Sequence, residues 1–257
     1  MHENKKKRFS LLNLVGLIAA VVAVVAIAGI IRELNNYHEG EKTYSDLKNQ
    51  YAAPVETEDE QPEELKKPYK LLDVDFATLQ AQNPNVIGWI DFDAFDLSYP
   101  IVWSGDNEKY LRTMWNGQPN SAGSIFMEGA NTSLDDLHVI LYGHNMRNRT
   151  MFGNLREYRK EEFYQEHGGG FTLYTPEATW RYEIFSVKQI RADDPLYTVG
   201  YLYGEAYTGF LERACQSRFY DTGVTVYSED HVMTLSTCVD DDDQRLVVMA
   251  RRAEQIA

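Results

Sequence analysis

Residues 11–31 read LLNLVGLIAAVVAVVAIAGII, an apolar run of 21 residues in which Asn13 is the one clearly polar member. As a helix at ~1.5 Å per residue, such a run spans about 31 Å, the thickness of a bilayer's hydrocarbon core. It has no polar face, which argues against a core helix of a soluble domain. Lys5, Lys6, Lys7 and Arg8 precede it. A basic flank of this kind predicts a cytoplasmic N-terminus for residues 1–10, with everything after Arg32 outside the cell. A cleaved signal peptide is the rival reading, because Ala26-Ile27-Ala28 resembles a small-residue cleavage site. The run is long for a signal, so an uncleaved single-pass anchor over 11–31 is expected.

Beyond the anchor, Leu34, Tyr37, Tyr44, Leu47 and Tyr51 fall on a helical stripe with charged residues between them. This predicts a juxtamembrane helix able to pack on the domain. Glu56, Glu58, Asp59, Glu60, Glu63 and Glu64 then crowd between Pro54 and Pro68. A stretch so poor in apolar surface reads as a solvated linker, so residues 32–68 divide into helix and linker.

The folded domain is expected over 69–257. DVDFATLQAQNP suggests a short helix stopped before Pro84. Eight short runs rich in Val, Ile, Tyr, Phe and Trp follow: VIGWIDF, LSYPIVW, GSIFME, LHVILYG, FTLYT, WRYEIFSV, VMTLST and LVVMA. Two helical segments interrupt them, TMFGNLREYRKEEFYQEHG and YGEAYTGFLERACQSR. The fold class is mainly β, one β-barrel domain decorated by helices.

The formal net charge of −14 argues against nucleic acid as a partner, since phosphate binding needs a basic face. Cys215 and Cys238 form no CxxC pair and no zinc-like cluster with histidine. Asp240, Asp241, Asp242 and Asp243 lack the spacing of a calcium loop. Neither a metal nor another cofactor is implied.

Chemistry concentrates near the C-terminus, in TLSTCVDDDDQRLVV. Cys238 ends one strand and Arg245 opens the next. If the two strands pair as a hairpin, their Cβ atoms lie ~5 Å apart at its mouth. A fixed cation beside a thiol favours thiolate and can donate hydrogen bonds to an oxyanion. The aspartates occupy the loop tip, where water screens them. A cysteine nucleophile also needs an acid–base partner. Among six histidines, His144 stands apart because it directly follows a strand in YGHNM, after a glycine that permits an unusual backbone or a close approach. Cys215, on the predicted helix, reads as a buried apolar residue.

These motifs together resemble a known family. TLSTC matches the TLxTC signature of sortases, and LYGHNM followed by TMFGNL is similar to the histidine region of class B sortases. QRLVV supplies the arginine, and NVIGWI, YPIV and GSIFM extend the likeness over residues 85–251. The resemblance implies an eight-stranded barrel with N-terminal helices and a long helix before the cysteine strand. It implies that Cys238 attacks a sorting-signal peptide of a surface-protein precursor to form a thioacyl intermediate. His144 is then the acid–base, Arg245 the residue that holds substrate backbone and oxyanion, and the acceptor an amine of the cell-wall precursor. Ser236 and Thr237 are candidate substrate-binding residues, or they fill a strand face. Two alternatives stay open, a pilin-polymerising enzyme that uses a lysine acceptor and a non-catalytic surface binding module. A papain-like hydrolase is disfavoured because its cysteine precedes its histidine.

Overall fold

Short strands with alternating large residues must find neighbours that bury both faces, and here they do so by closing on themselves. The structure, a computed structural model, describes residues 11–55, 69, 71–238 and 243–256, without the side chains of residues 11–13 and 238. The basic segment 1–10, the acidic stretch 56–68 and loop residues 239–242 lie outside the described residues.

The chain forms two compact units, residues 1–39 and 40–257. The first consists of the apolar part of helix α1 (Leu11–Tyr51), with Leu14, Val15, Leu17 and their neighbours exposed along it. It is long and apolar enough to cross a membrane. The two segments that the sequence separates at Arg32 are one uninterrupted helix. Within the second unit, Tyr44 and Leu47 on the last turns of α1 are buried, and β1 (Ala52–Pro54) pairs with β2 (Leu72–Val74). The compact unit therefore reaches back to Gly40, well before Tyr69, and the acidic stretch interrupts it between β1 and β2. Asp75 then caps α2 (Phe76–Gln82) by accepting from the Thr78 amide.

Eight further strands form a closed barrel: β3 (Val86–Phe92), β4 (Ser98–Val102), β5 (Ile125–Met127), β6 (His138–Tyr142), β7 (Gly170–Tyr174), β8 (Thr179–Arg191), β9 (Val232–Cys238) and β10 (Gln244–Gln255). The order around the barrel is β10-β8-β7-β3-β4-β5-β6-β9. Closure leaves the barrel itself without a sheet edge. All eight apolar runs of the sequence are strands, though β8 and β10 are longer than their apolar cores. Trp89 anchors the interior, fully buried, with its indole donating to Ser98 Oγ at 2.9 Å.

The two helical segments differ. The first is broken into a 3-10 stretch, Gly153–Arg159, and helix α3 (Glu161–His167), separated by Lys160 in extended backbone. The second is helix α4 (Glu205–Cys215). Its Tyr207, Phe210, Leu211 and Ala214 recur at helical spacing and pack on Phe185, Val232, Val247 and Met249 of the barrel's outer face.

Candidate active site

Two strand pairings bring the candidate residues to one barrel mouth. β6 and β9 run parallel with Tyr142 opposite Ser236, so their C-terminal ends coincide. His144 and Cys238 each lie two residues past that register pair. β10 returns antiparallel to β9 and sets Arg245 opposite Cys238. No local signal dictates the parallel pairing, because residues 143–231, carrying two strands and two α-helices, intervene between β6 and β9.

A cleft of about 330 Å³ opens at this mouth, lined by His144, Arg245, Ser236, Thr237, Tyr142, Tyr197, Asn107 and Leu111 among others. Gly143 holds the exit of β6 tightly. Its amide donates to the Ser236 carbonyl at 3.2 Å. A Cβ there would stand 2.5 Å from Ile125 Cδ1 and 2.7 Å from the Phe152 ring. The glycine serves close approach, and its φ is not left-handed.

His144 is half-buried, and its Nε2 lies 2.6 Å from the Leu111 carbonyl oxygen. A carbonyl only accepts, so Nε2 carries a proton and the neutral ring presents Nδ1 as its base. The Phe152 amide donates to the His144 carbonyl at 3.1 Å and fixes the backbone behind the ring. Arg245 donates to the Gln244 carbonyl at 2.9 Å and is half-buried in the cleft wall. Cys238 is defined here by its backbone register alone.

The remaining candidates divide. Ser236 is buried and its hydroxyl is engaged with Tyr197 Oη at 2.7 Å. Thr237 is buried too, and its Oγ1 has no hydrogen-bond partner among the described residues. Cys215 is a free thiol at the end of α4, and burial pushes its pKa up, away from thiolate. His138 is fully buried and bonded through both ring nitrogens.

The cleft also contains residues that the sequence did not single out. Tyr142 donates to Glu128 Oε2 at 2.7 Å; burial and that bond push its pKa up, against the pull of Arg245. Glu128 Oε1 accepts from Asn107 Nδ2 at 2.7 Å. The Tyr142 and Tyr197 rings stack at 6.3 Å. Leu111 acts through its carbonyl, a group every residue owns, and so leaves no mark in a sequence. A larger cavity of about 510 Å³, lined by Trp103, Trp180 and Arg252, lies toward the far end of β10 and holds none of the candidate residues.

Comparison with known proteins bears on the family and the fold. A sortase domain model matches residues 90–253. The chain is 30% identical over 177 residues to sortase B of Listeria monocytogenes, covering 67% of this chain and 72% of that protein. Its fold superposes on a B. anthracis sortase B structure with a TM-score of 0.71 at 32% identity, over 85% of this chain and 97% of that one. It also superposes on a Staphylococcus aureus sortase B–substrate complex with a TM-score of 0.66 at 28% identity, over 71% and 85% of the two chains. The chain belongs to the sortase family of cysteine transpeptidases, and within it to class B.

Proposed function

We propose that this enzyme is anchored in the cell membrane by residues 11–31 and works outside the cell. It cleaves a sorting signal in surface-protein precursors and transfers the product to an amine of the cell-wall precursor. The observation that carries the assignment of residues is the shared barrel mouth: Arg245 is the register partner of Cys238 and lines one cleft with His144. That a sortase B relative from S. aureus is described in complex with substrate supports the binding of a sorting-signal substrate by this chain.

In this reading the Cys238 thiolate attacks the carbonyl carbon of threonine in the signal. The oxyanion forms beside the Arg245 guanidinium, whose planar fork of donors suits it. Collapse breaks the C–N bond, and the imidazolium of His144 gives its proton to the departing amine. A thioester to Cys238 remains. The acceptor amine then loses its proton to neutral His144 as it attacks the thioester, and the thiolate leaves. The bond between Nε2 and Leu111 holds the ring while Nδ1 exchanges the proton. Thr237, which lines the cleft and whose hydroxyl has no partner among the described residues, is the better substrate contact of the two candidates, because Ser236 is already bonded to Tyr197.

The test uses the full chain in detergent, a peptide library and candidate amines, with products identified by mass spectrometry. Cys238→Ala is expected to abolish cleavage and the thioacyl adduct, and His144→Ala to remove nearly all turnover. An adduct mapped to Cys215, or turnover that depends on His138 or His231 instead, overturns the assignment. Transfer to a lysine-bearing protein and not to wall-type amines would identify a pilin-polymerising enzyme.

A further inference from the structure

The loop that follows His144 is held in a conformation its own residues do not prefer. Asn145 and Met151 form an antiparallel bridge, and Arg149 and Met151 both adopt left-handed backbone, at φ 66° and 53°. For side chains with a Cβ this region is strained, so the surroundings must impose it. Met151 is buried, and its backbone N–H donates to Tyr99 Oη at 3.2 Å. A buried amide needs such a partner. The next residue, Phe152, donates its amide to the His144 carbonyl.

Tyr99, on β4, is itself braced. The ring of Tyr44, from the last turns of α1, meets it edge-on at 5.1 Å and 78°. The Tyr44 hydroxyl goes elsewhere, donating to the Gly123 carbonyl at 2.6 Å. Gly123 is left-handed at φ +59°, and a Cβ there would stand 2.6 Å from the Leu111 carbonyl oxygen. Its backbone is thus pressed against the atom that accepts the Nε2 proton of His144. Two arms leave Tyr44 and end on the same histidine: one through Tyr99 and Met151 to its backbone, one through Gly123 and Leu111 to its ring.

We infer that Tyr44 and Tyr99 are positioning residues for His144, so that the last turns of α1 belong to the working parts of the enzyme. The inference rests on His144 being the acid–base. Neither tyrosine touches the cleft. Their effect is on the geometry of proton transfer, where a misplacement of ~1 Å can cost on the order of 10²-fold in rate.

The experiment compares Tyr44→Phe and Tyr99→Phe, which keep both rings, with Tyr174→Phe as control. Tyr174 Oη accepts from the Leu72 amide at 3.0 Å, the same kind of bond elsewhere in the barrel. The full chain in detergent is assayed with the library peptide the parent enzyme cleaves fastest, and Cys238 alkylation by iodoacetamide is followed against pH by peptide mapping. Each test variant is expected to lose about 10-fold in kcat with KM within about twofold, and to move the alkylation midpoint upward as the imidazole partner loosens. The control should change none of these. Test variants that match the control in kcat and alkylation profile overturn the inference, as does a kcat loss that the control reproduces at an equal fall in Tm. His144→Ala runs alongside. Turnover surviving in it removes the underlying acid–base reading, whereas an inactive His144→Ala beside a normal Tyr99→Phe refutes the positioning role alone.

Discussion

His138 and His144 lie on one strand and its exit, yet their surroundings differ. His138 is fully buried; Nδ1–H donates to the Thr198 carbonyl at 2.8 Å and Nε2 accepts from Thr234 Oγ1 at 2.8 Å. Burial pushes its pKa down from 6.5 to about 4. The unfolded chain takes up this proton first, so the contribution to stability is complete above pH 6.5 and is lost as pH falls toward 4. The loss amounts to roughly 3 kcal/mol at about 1.4 kcal/mol per pH unit. Between pH 7 and 4.5 the Tm of the parent should fall more steeply than that of His138→Gln; parallel curves would show that His138 does not titrate this way. Arg245 carries a second prediction at this scale. Lysine keeps the charge but loses the planar, two-point donor, so Arg245→Lys should lower kcat by ~10²-fold, the scale of one oxyanion donor. Near-parental turnover would leave the arginine without that task.

Among the elements, the β9–β10 hairpin decides the site and also carries the acidic loop. Register sets Arg245 across from Cys238, while Asp243 stays exposed and its carbonyl accepts from the Ala192 amide at 2.9 Å. Changing Asp241 and Asp242 to Asn should slightly lower the Cys238 pKa and leave turnover within a few-fold, because four consecutive aspartates read in the sequence as a solvated turn, where water and salt screen charge. A collapse of activity in this variant would make the acidic loop, in place of Arg245, the partner of the thiol. The exit of β6 is constrained in a different way. At Gly143 the sequence allows either an unusual backbone or a close approach, and packing against Ile125 and Phe152 selects the second. Sequence shows that a glycine is wanted; the neighbours that require it arrive from other strands.

For the molecule as a whole, the boundary of the folded unit at Gly40 has a consequence for truncation. Removing residues 1–31 should release a soluble, active enzyme, while the full chain stays in the membrane fraction with its C-terminus outside. Removing residues 1–51 should not be tolerated in the same way. It takes away Tyr44 and Leu47, buried to 5% and 3% exposure, each worth roughly 1.5–3 kcal/mol of burial. Equal Tm and kcat for the two truncations would place the end of α1 outside the working enzyme. A mature protein that starts at Gly29 would instead reveal a cleaved signal.

Some of this was determined by the sequence alone, because the signals are local. An apolar run broken only by Asn13 marks a helix long enough to cross a membrane, short runs rich in Val, Ile, Tyr, Phe and Trp between turn residues mark eight strands, and TLSTC, YGHNM and QRLVV mark the three candidate residues of the proposed site. Each depends on neighbours along the chain. Only the tertiary structure decided that the compact unit begins at Gly40, with Tyr44 and Leu47 buried in it and Tyr44 packed on Tyr99 of β4. Parallel pairing of β6 with β9 likewise belongs to barrel closure, and with it the shared level of His144 and the Cys238 backbone at one barrel mouth. The carbonyl of Leu111, the hydroxyl of Tyr99 and the brace of Tyr44 were invisible for the same physical reason: they act through contacts between residues far apart in the chain, and through backbone atoms that carry no residue identity.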